Sequence, residues 1–295
     1  MNRTEQLYKD FGMQSVNRVE LSTGDDAKFS LGIVSVRYED LPWIGKKIAI
    51  QFNESGIFSD NPFTGEAVLA YLREFYEQYL PNIPANMREV HGSTSDGGLL
   101  AEWLLLKHLR PDYYVESGVF VGASLRLADM VLPNAQKWGY DLSFQPLLYK
   151  EENITYIQND IGAEPPSLPR GKLAFVFFDD HIDPVRRILL CAQLGVEWVL
   201  FDDSPPFTRL YHERYPAVPS ISMILDEDMP EGAVVEYKLF GRAEGEVLRY
   251  THDKAYCEKA KDLILGHIDL YDALEEKIGV RCGNKVAVRL RTQNF

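Results

Sequence analysis

Two stretches, KLAFVFFDD (172–180) and EWVLFDD (197–203), constrain this chain more than any other feature. Each is an apolar run of strand length that stops at a pair of aspartates. A strand apolar at nearly every position must be covered on both faces. Between them lies DPVRRILLCAQL, a helical pattern with Pro184 in its first turn, where proline is tolerated. Two buried strands joined by a helix form a parallel βαβ unit, so both aspartate pairs finish at one edge of one sheet.

The alternation continues on both sides of this unit. SDGGLLAEWLLLKHL reads as a helix, YYVES as a strand, ASLRLADMVL as a helix, and QKWGYD and ITYIQND as strands. Later come the strands AVVEYKLFG and GEVLRYT, a helix expected over 254–277, and a closing strand KVAVRLR. The fold class is therefore α/β, with a mostly parallel sheet and helices on both faces. Residues 1–88 have another texture. KFSLGIVSVRYED and KKIAIQF read as strands, and NPFTGEAVLAYLREFYEQYLP as a helix opened near Thr64 and stopped by Pro81. A boundary near residue 88 separates this small α+β region, a cap or subunit interface, from a main domain over 89–295.

The formal charge of −13 argues against nucleic acid as the main partner, since phosphate binding needs a basic face. Cys191, Cys257 and Cys282 fit neither a zinc site nor a disulfide framework. The first residues, MNRTEQLYKDFG, lack the apolar core of a signal peptide, and no apolar run is long enough to span a membrane. A cytoplasmic protein acting on a small molecule is the expectation, with a homo-oligomer as one use of the N-terminal region.

The turn after YYVES carries Glu116, Gly118 and Gly122. In a doubly wound sheet, ligands sit outside the carboxyl ends of the strands. An acid there is a poor neighbour for a pyrophosphate and a good one for a cation. The spacing also lacks the third glycine of the dinucleotide fingerprint. Asp141 and Asp160 close the next two strands, and Asp141 is placed to accept ribose hydroxyls. At the two buried strands, Asp179, Asp180, Asp202 and Asp203 would repel one another unless a cation were present, and Mg²⁺ suits hard oxygen ligands.

VESGVFVGAS resembles motif I of the class I S-adenosylmethionine (SAM)-dependent methyltransferases, E/D-x-G-x-x-x-G, and most of all the metal-dependent branch acting on macrolide sugars and other natural products. Asp179, His181, Asp202 and Asp203 match the acidic pattern of that branch. The resemblance covers roughly residues 90–295. It implies a Rossmann-like, seven-stranded sheet whose last strand is reversed. It implies SAM at Glu116, Gly118, Gly122, Ser124, Asp141 and Asp160. It implies Mg²⁺ or another divalent cation on Asp179, Asp202 and Asp203, with His181 as general base and Asp180 as the alternative should the alignment slip by one. The reaction implied is O-methylation of a small hydroxylated molecule, a sugar or natural-product intermediate. The usual Gly-Gly before the fifth strand is replaced by LGVEW, which loosens the match locally. Two other readings keep the fold: a metal-independent N-methyltransferase, and a non-catalytic partner-binding protein.

Overall fold

The computed structural model describes residues 28–30, 35–88, 90, 93–212, 216–238 and 247–292. Strands β1 (Lys28–Ser30) and β2 (Ser35–Arg37) form a short antiparallel pair. Helices α1 (Leu41–Glu54) and α2 (Gly65–Glu74) follow, the second running on through a π-helical turn to Tyr79. Then come α3 (Asp96–Leu109), β3 (Tyr113–Ser117), α4 (Ala123–Val131), β4 (Gln136–Tyr140), β5 (Ile154–Ile157) and β6 (Ala174–Phe178). The chain continues through α5 (Pro184–Leu194), β7 (Trp198–Phe201), β8 (Val234–Lys238), β9 (Val247–Thr251), α6 (Lys254–Lys261), β10 (Ile264–Asp269) and β11 (Val286–Leu290).

Seven strands make one sheet in the order β10-β11-β7-β6-β3-β4-β5. β3 pairs in parallel with both β4 and β6, and β6 with β7, while β11 runs antiparallel to β7 and to β10. Numbered along the sheet's own strands the order is 3-2-1-4-5-7-6, with the last strand reversed. This is the Rossmann-like class I methyltransferase fold. β8 and β9 form a separate antiparallel ribbon.

Period-two alternation divides the core between the two faces of the sheet. Tyr114, Phe175, Phe177 and Leu200 point to one face, where they join α3, α4 and the helices of residues 41–80. Val115, Val176, Phe178 and Val199 point to the other, under α5 and α6. Local chemistry sets the helix ends. Thr64, Ser95 and Asp183 each accept a backbone N–H as N-caps, and Gly195 ends α5 in the left-handed conformation. Among the described residues no helix is long and apolar enough to cross a membrane.

Two expectations are corrected. KKIAIQF is part of α1, not a strand. Its β-branched residues suggest extension, but Leu41, Ile44, Ile48, Ala49 and Phe52 fall at helical spacing and are buried together. The helix expected over 254–277 is broken: α6 ends at Lys261, and Ile264–Asp269 forms β10 against β11. That strand is a sheet edge and half exposed, so its pattern is weak, and pairing with a distant strand decides its conformation.

Trp103 joins the N-terminal helices to the rest. It is fully buried on α3, and its indole N–H donates to the Tyr71 carbonyl at 2.9 Å. Trp103→Ala should cost about 3–5 kcal/mol. Urea unfolding measures it, and a wild-type midpoint would show that this layer adds nothing to the stability of the sheet and its helices.

Candidate active site at the carboxyl edge of the sheet

The sheet's hydrogen bonding continues one step past the strand ends. Gly118 N–H donates to Tyr140 O, Asp179 N–H to Ser117 O and Asp202 N–H to Phe178 O, each at 2.8 Å. The glycine turn after β3 and the two aspartate pairs after β6 and β7 are thereby held side by side.

Gly118 has φ +93°, and a Cβ on it would lie 2.2 Å from the Asp179 carbonyl oxygen. The close approach at this glycine is therefore made by the protein's own backbone. Gly122, at φ +87°, caps α4, and a Cβ there would meet Leu147 at 2.7 Å. Between them the N–H groups of Val119 and Phe120 both donate to Asp141 Oδ2, at 2.9 and 3.0 Å. Such a pair of amides is an anion-binding nest. Here the chain's own carboxylate fills it, which leaves no nest for a phosphate. Asp141 Oδ1 accepts from Ser143 N–H, and a carboxylate has lone pairs left for further donors.

Glu116 does not reach the open edge. It is fully buried, accepting from Ser124 Oγ at 2.6 Å and lying 2.8 Å from the Tyr114 hydroxyl. That hydroxyl also lies 2.7 Å from Glu102, a fully buried acid of α3. A phenol has one hydrogen to give, so one of the two carboxyls must carry a proton of its own. Burial, with Glu102 nearby, pushes Glu116 well above the usual range, and burial pushes Glu102 up to about 8.

Asp160 and Asp180 are drawn together by Arg187 of α5. Arg187 Nη2 lies 2.6 Å from Asp160 Oδ2 and 2.7 Å from Asp180 Oδ2. The hydrogen bond from Arg187 holds Asp160 below the usual carboxylate range. Asp180 also accepts from Ser117 Oγ at 2.5 Å and from Ile182 N–H. It therefore faces this cluster and not the other aspartates.

Asp179, His181 and Asp203 form the second group, with one ligand-type atom from each lying within 4.8 Å of the others. His181 Nδ1 is 3.1 Å from Asp203 Oδ2. Burial and the charges of Asp202 and Asp203 push Asp179 well up. Burial pulls the His181 imidazole down, but the hydrogen bond to Asp203 and the charge of Asp179 push it up to about 9. Phe120, His181 and Asp203 have φ of 48°, 56° and 47°. Left-handed backbone at non-glycine residues is strained, and here it gathers in the loops of one sheet edge.

Asp202 is paired with Lys285, whose side chain is almost wholly buried. Burial opposes the ammonium's charge, but Asp202 and Asp179 outweigh that and raise its pKa above the ordinary lysine range. Lys285 directly precedes β11. Because β11 runs backwards, its first residue meets the carboxyl ends of the parallel strands. Gly97 and Gly98 keep this approach open, since a Cβ at Gly97 would collide with the Arg281 carbonyl at 2.1 Å and one at Gly98 would crowd the Lys285 side chain at 3.1 Å.

Lys285, Arg187, Glu102 and Tyr114 were not among the residues expected at the site. The reversed strand was the available sign for Lys285, and for Arg187 the sign was the second of two adjacent arginines opening the helix between the aspartate pairs, the one that falls with Val185 and Ile188 on the buried side. Cys191, Cys257 and Cys282 are buried and unbridged.

No family model matches the chain, and no curated protein does. Among solved structures, CmcI in a Mg-SAM form is 23% identical over 38% of this chain and 54% of its own, with a TM-score of 0.32. The chain thus spans little more than half the length of that relative. The O-methyltransferase TomG from Streptomyces achromogenes, involved in tomaymycin synthesis and solved with SAM, is 13% identical over 85% of this chain and 99% of its own, with a TM-score of 0.36. The Podospora anserina methyltransferase PaMTH1, solved with S-adenosylhomocysteine (SAH), is 14% identical over 75% and 88%, also with a TM-score of 0.36. At such low identities and scores, the strand order, not these likenesses, defines the fold.

Two outcomes follow. Gly118→Ala should destabilise the whole fold, by roughly 1–3 kcal/mol for the backbone conformation alone, with displacement of the Asp179 carbonyl in addition. A wild-type melting temperature would contradict the packing described. The second concerns Glu102, which ionises near 4.5 when unfolded and at about 8 when folded. Between those values the folded protein keeps a proton that the unfolded chain has lost, so this group's contribution falls as pH rises. Relative to wild type, Glu102→Gln should therefore gain stability between about pH 5 and about pH 8. Urea midpoints that keep a constant difference across that window would refute the buried proton.

Proposed function

We propose that this chain transfers the methyl group of SAM to a hydroxyl oxygen of a small molecule, with a divalent cation at the acidic edge. The observation that carries the reading is the seating of Asp179, His181, Asp202 and Asp203 beside the glycine turn, at the carboxyl edge of a class I methyltransferase sheet. A sulfonium is a cation, and it suits an edge lined with carboxylates better than a pyrophosphate does. The Asp141-filled nest points the same way.

Cofactor contacts in this reading fall to the turn over 118–122 and to the free lone pairs of Asp141. Glu116 and Ser124 act from below by fixing the start of α4. Asp160 reaches the adenine side only with Arg187 attached. The residues present fit a divalent cation, since they offer two carboxylates and an imidazole within one ion's reach. When bound, such an ion lowers the pKa of a substrate hydroxyl and orients it. The chain's own part is to hold the oxygen in line with methyl carbon and sulfur. Of the groups proposed to take the hydroxyl proton, Asp180 is engaged by Ser117, Ile182 and Arg187. His181 can accept at Nε2 only while Nδ1 holds the proton shared with Asp203.

Lys285 favours the metal-independent alternative to the extent that it brings one positive charge of its own. Asp179, Asp202 and Asp203 outnumber that single ammonium, which favours the reading with a cation. Residues 1–88 are proposed as an auxiliary region, its helices covering the outer side of α3, with 89–295 as the catalytic domain.

Calorimetry with SAM and SAH tests the cofactor. Both should bind, and Asp141→Ala should weaken binding at least tenfold, about 1.4 kcal/mol. Failure of the wild-type chain to bind either would remove the methyltransferase reading.

A further inference from the structure

After β6 and β7 the edge holds three carboxylates outside the Arg187 cluster, Asp179, Asp202 and Asp203, and they are not equivalent. Asp202 is committed to Lys285, an ammonium buried against the Phe177 ring at 4.8 Å and held by the start of β11. Breaking that pair would leave a buried charge without its partner, which is strongly destabilising. Asp202 is therefore poorly able to turn to a metal. Asp179 is different. It is half-buried, and none of the described residues donates a hydrogen bond to its carboxylate. Asp203 meets His181 Nδ1 at 3.1 Å, a separation spanned by a shared proton or, with slight opening, by a shared ion.

We infer that the cation of this site is held by Asp179, His181 through Nδ1, and Asp203, and that Asp202 is kept out of the ligand set by Lys285. The inference rests on the methyltransferase reading only for what the ion is used for; the ligand set stands on the geometry. Two consequences follow from its chemistry. An imidazole nitrogen beside two carboxylates shifts preference from Mg²⁺ towards first-row transition ions such as Mn²⁺ and Co²⁺. An imidazole that ligates through Nδ1 carries its hydrogen on Nε2, so His181 cannot at the same time accept a proton there. Ligand and general base are exclusive roles for this ring, and the ion selects the first.

The test uses the full chain stripped with EDTA, without substrate. Calorimetry with Mg²⁺, Mn²⁺ and Co²⁺ should show the last two bound at least tenfold more tightly than Mg²⁺. Pulsed electron paramagnetic resonance of the Mn²⁺ form of the wild type should show modulation from one imidazole nitrogen. In His181→Ala that signal should vanish and the Co²⁺ affinity fall tenfold or more. The double variant Asp202→Asn/Lys285→Met, which removes both charges of the pair together and is checked for folding by circular dichroism, should bind Co²⁺ within about twofold of wild type. The inference is overturned by a wild-type chain that binds no ion, by equal affinities for Mg²⁺ and Mn²⁺, or by a Mn²⁺ signal without nitrogen. Calorimetry with SAM on the same preparation separates the two readings. Binding of SAM without the ion defeats only the ligand set, and binding of the ion without SAM defeats only the methyltransferase function.

Discussion

The buried pairing of Lys285 with Asp202 is the interaction on which the arrangement of the edge depends. A parallel sheet brings the carboxyl ends of its strands together, and in this chain those ends carry aspartates. Without a positive charge inside the fold, the carboxylates after β6 and β7 would repel each other. The reversed strand β11 solves this by delivering a lysine from the opposite direction. Its ammonium neutralises Asp202 and lies close enough to Asp179 to act on it. The reversal of one strand is thus tied to the electrostatics of the edge, and the glycine pair at the start of α3 lets the incoming segment approach.

On the other side, Arg187 does the same for Asp160 and Asp180. The edge therefore divides in two. One half is closed by an internal cation and hydrogen bonds, and the other half, Asp179, His181 and Asp203, carries strained backbone at two of its three residues. Beneath both lies the chain Glu102–Tyr114–Glu116–Ser124, which connects α3 to the turn that starts α4. Chemistry at the surface of this edge rests on a buried polar layer whose members hold one another in place.

Much of this was legible in the residues. The strands KLAFVFF and EWVLF announce themselves because burial on both faces leaves no polar position to blur the pattern. The aspartates that end them are visible for the same reason. The turn after YYVES could be read as a close approach, but not what approached: the Asp179 carbonyl is brought there by strand pairing, which a local reading does not contain. KKIAIQF misleads because β-branched residues carry a helix once five apolar side chains share one buried stripe. β10 is hidden because an edge strand is half exposed and depends on a partner far along the chain. Lys285 and Glu102 look like ordinary surface charges in sequence. Only the fold shows that one enters at the head of a reversed strand and the other lies under the sheet, within reach of Tyr114.

The central claim is that this edge binds SAM beside a cation held by Asp179, His181 and Asp203. A crystal grown with SAH and Mn²⁺, with diffraction collected at the manganese absorption edge, tests it directly. The account predicts SAH along the turn at 118–122 and one anomalous peak among Asp179, His181 and Asp203, with Lys285 still on Asp202. A peak between Asp202 and Asp203 with Lys285 displaced, or SAH absent from that turn, would contradict it.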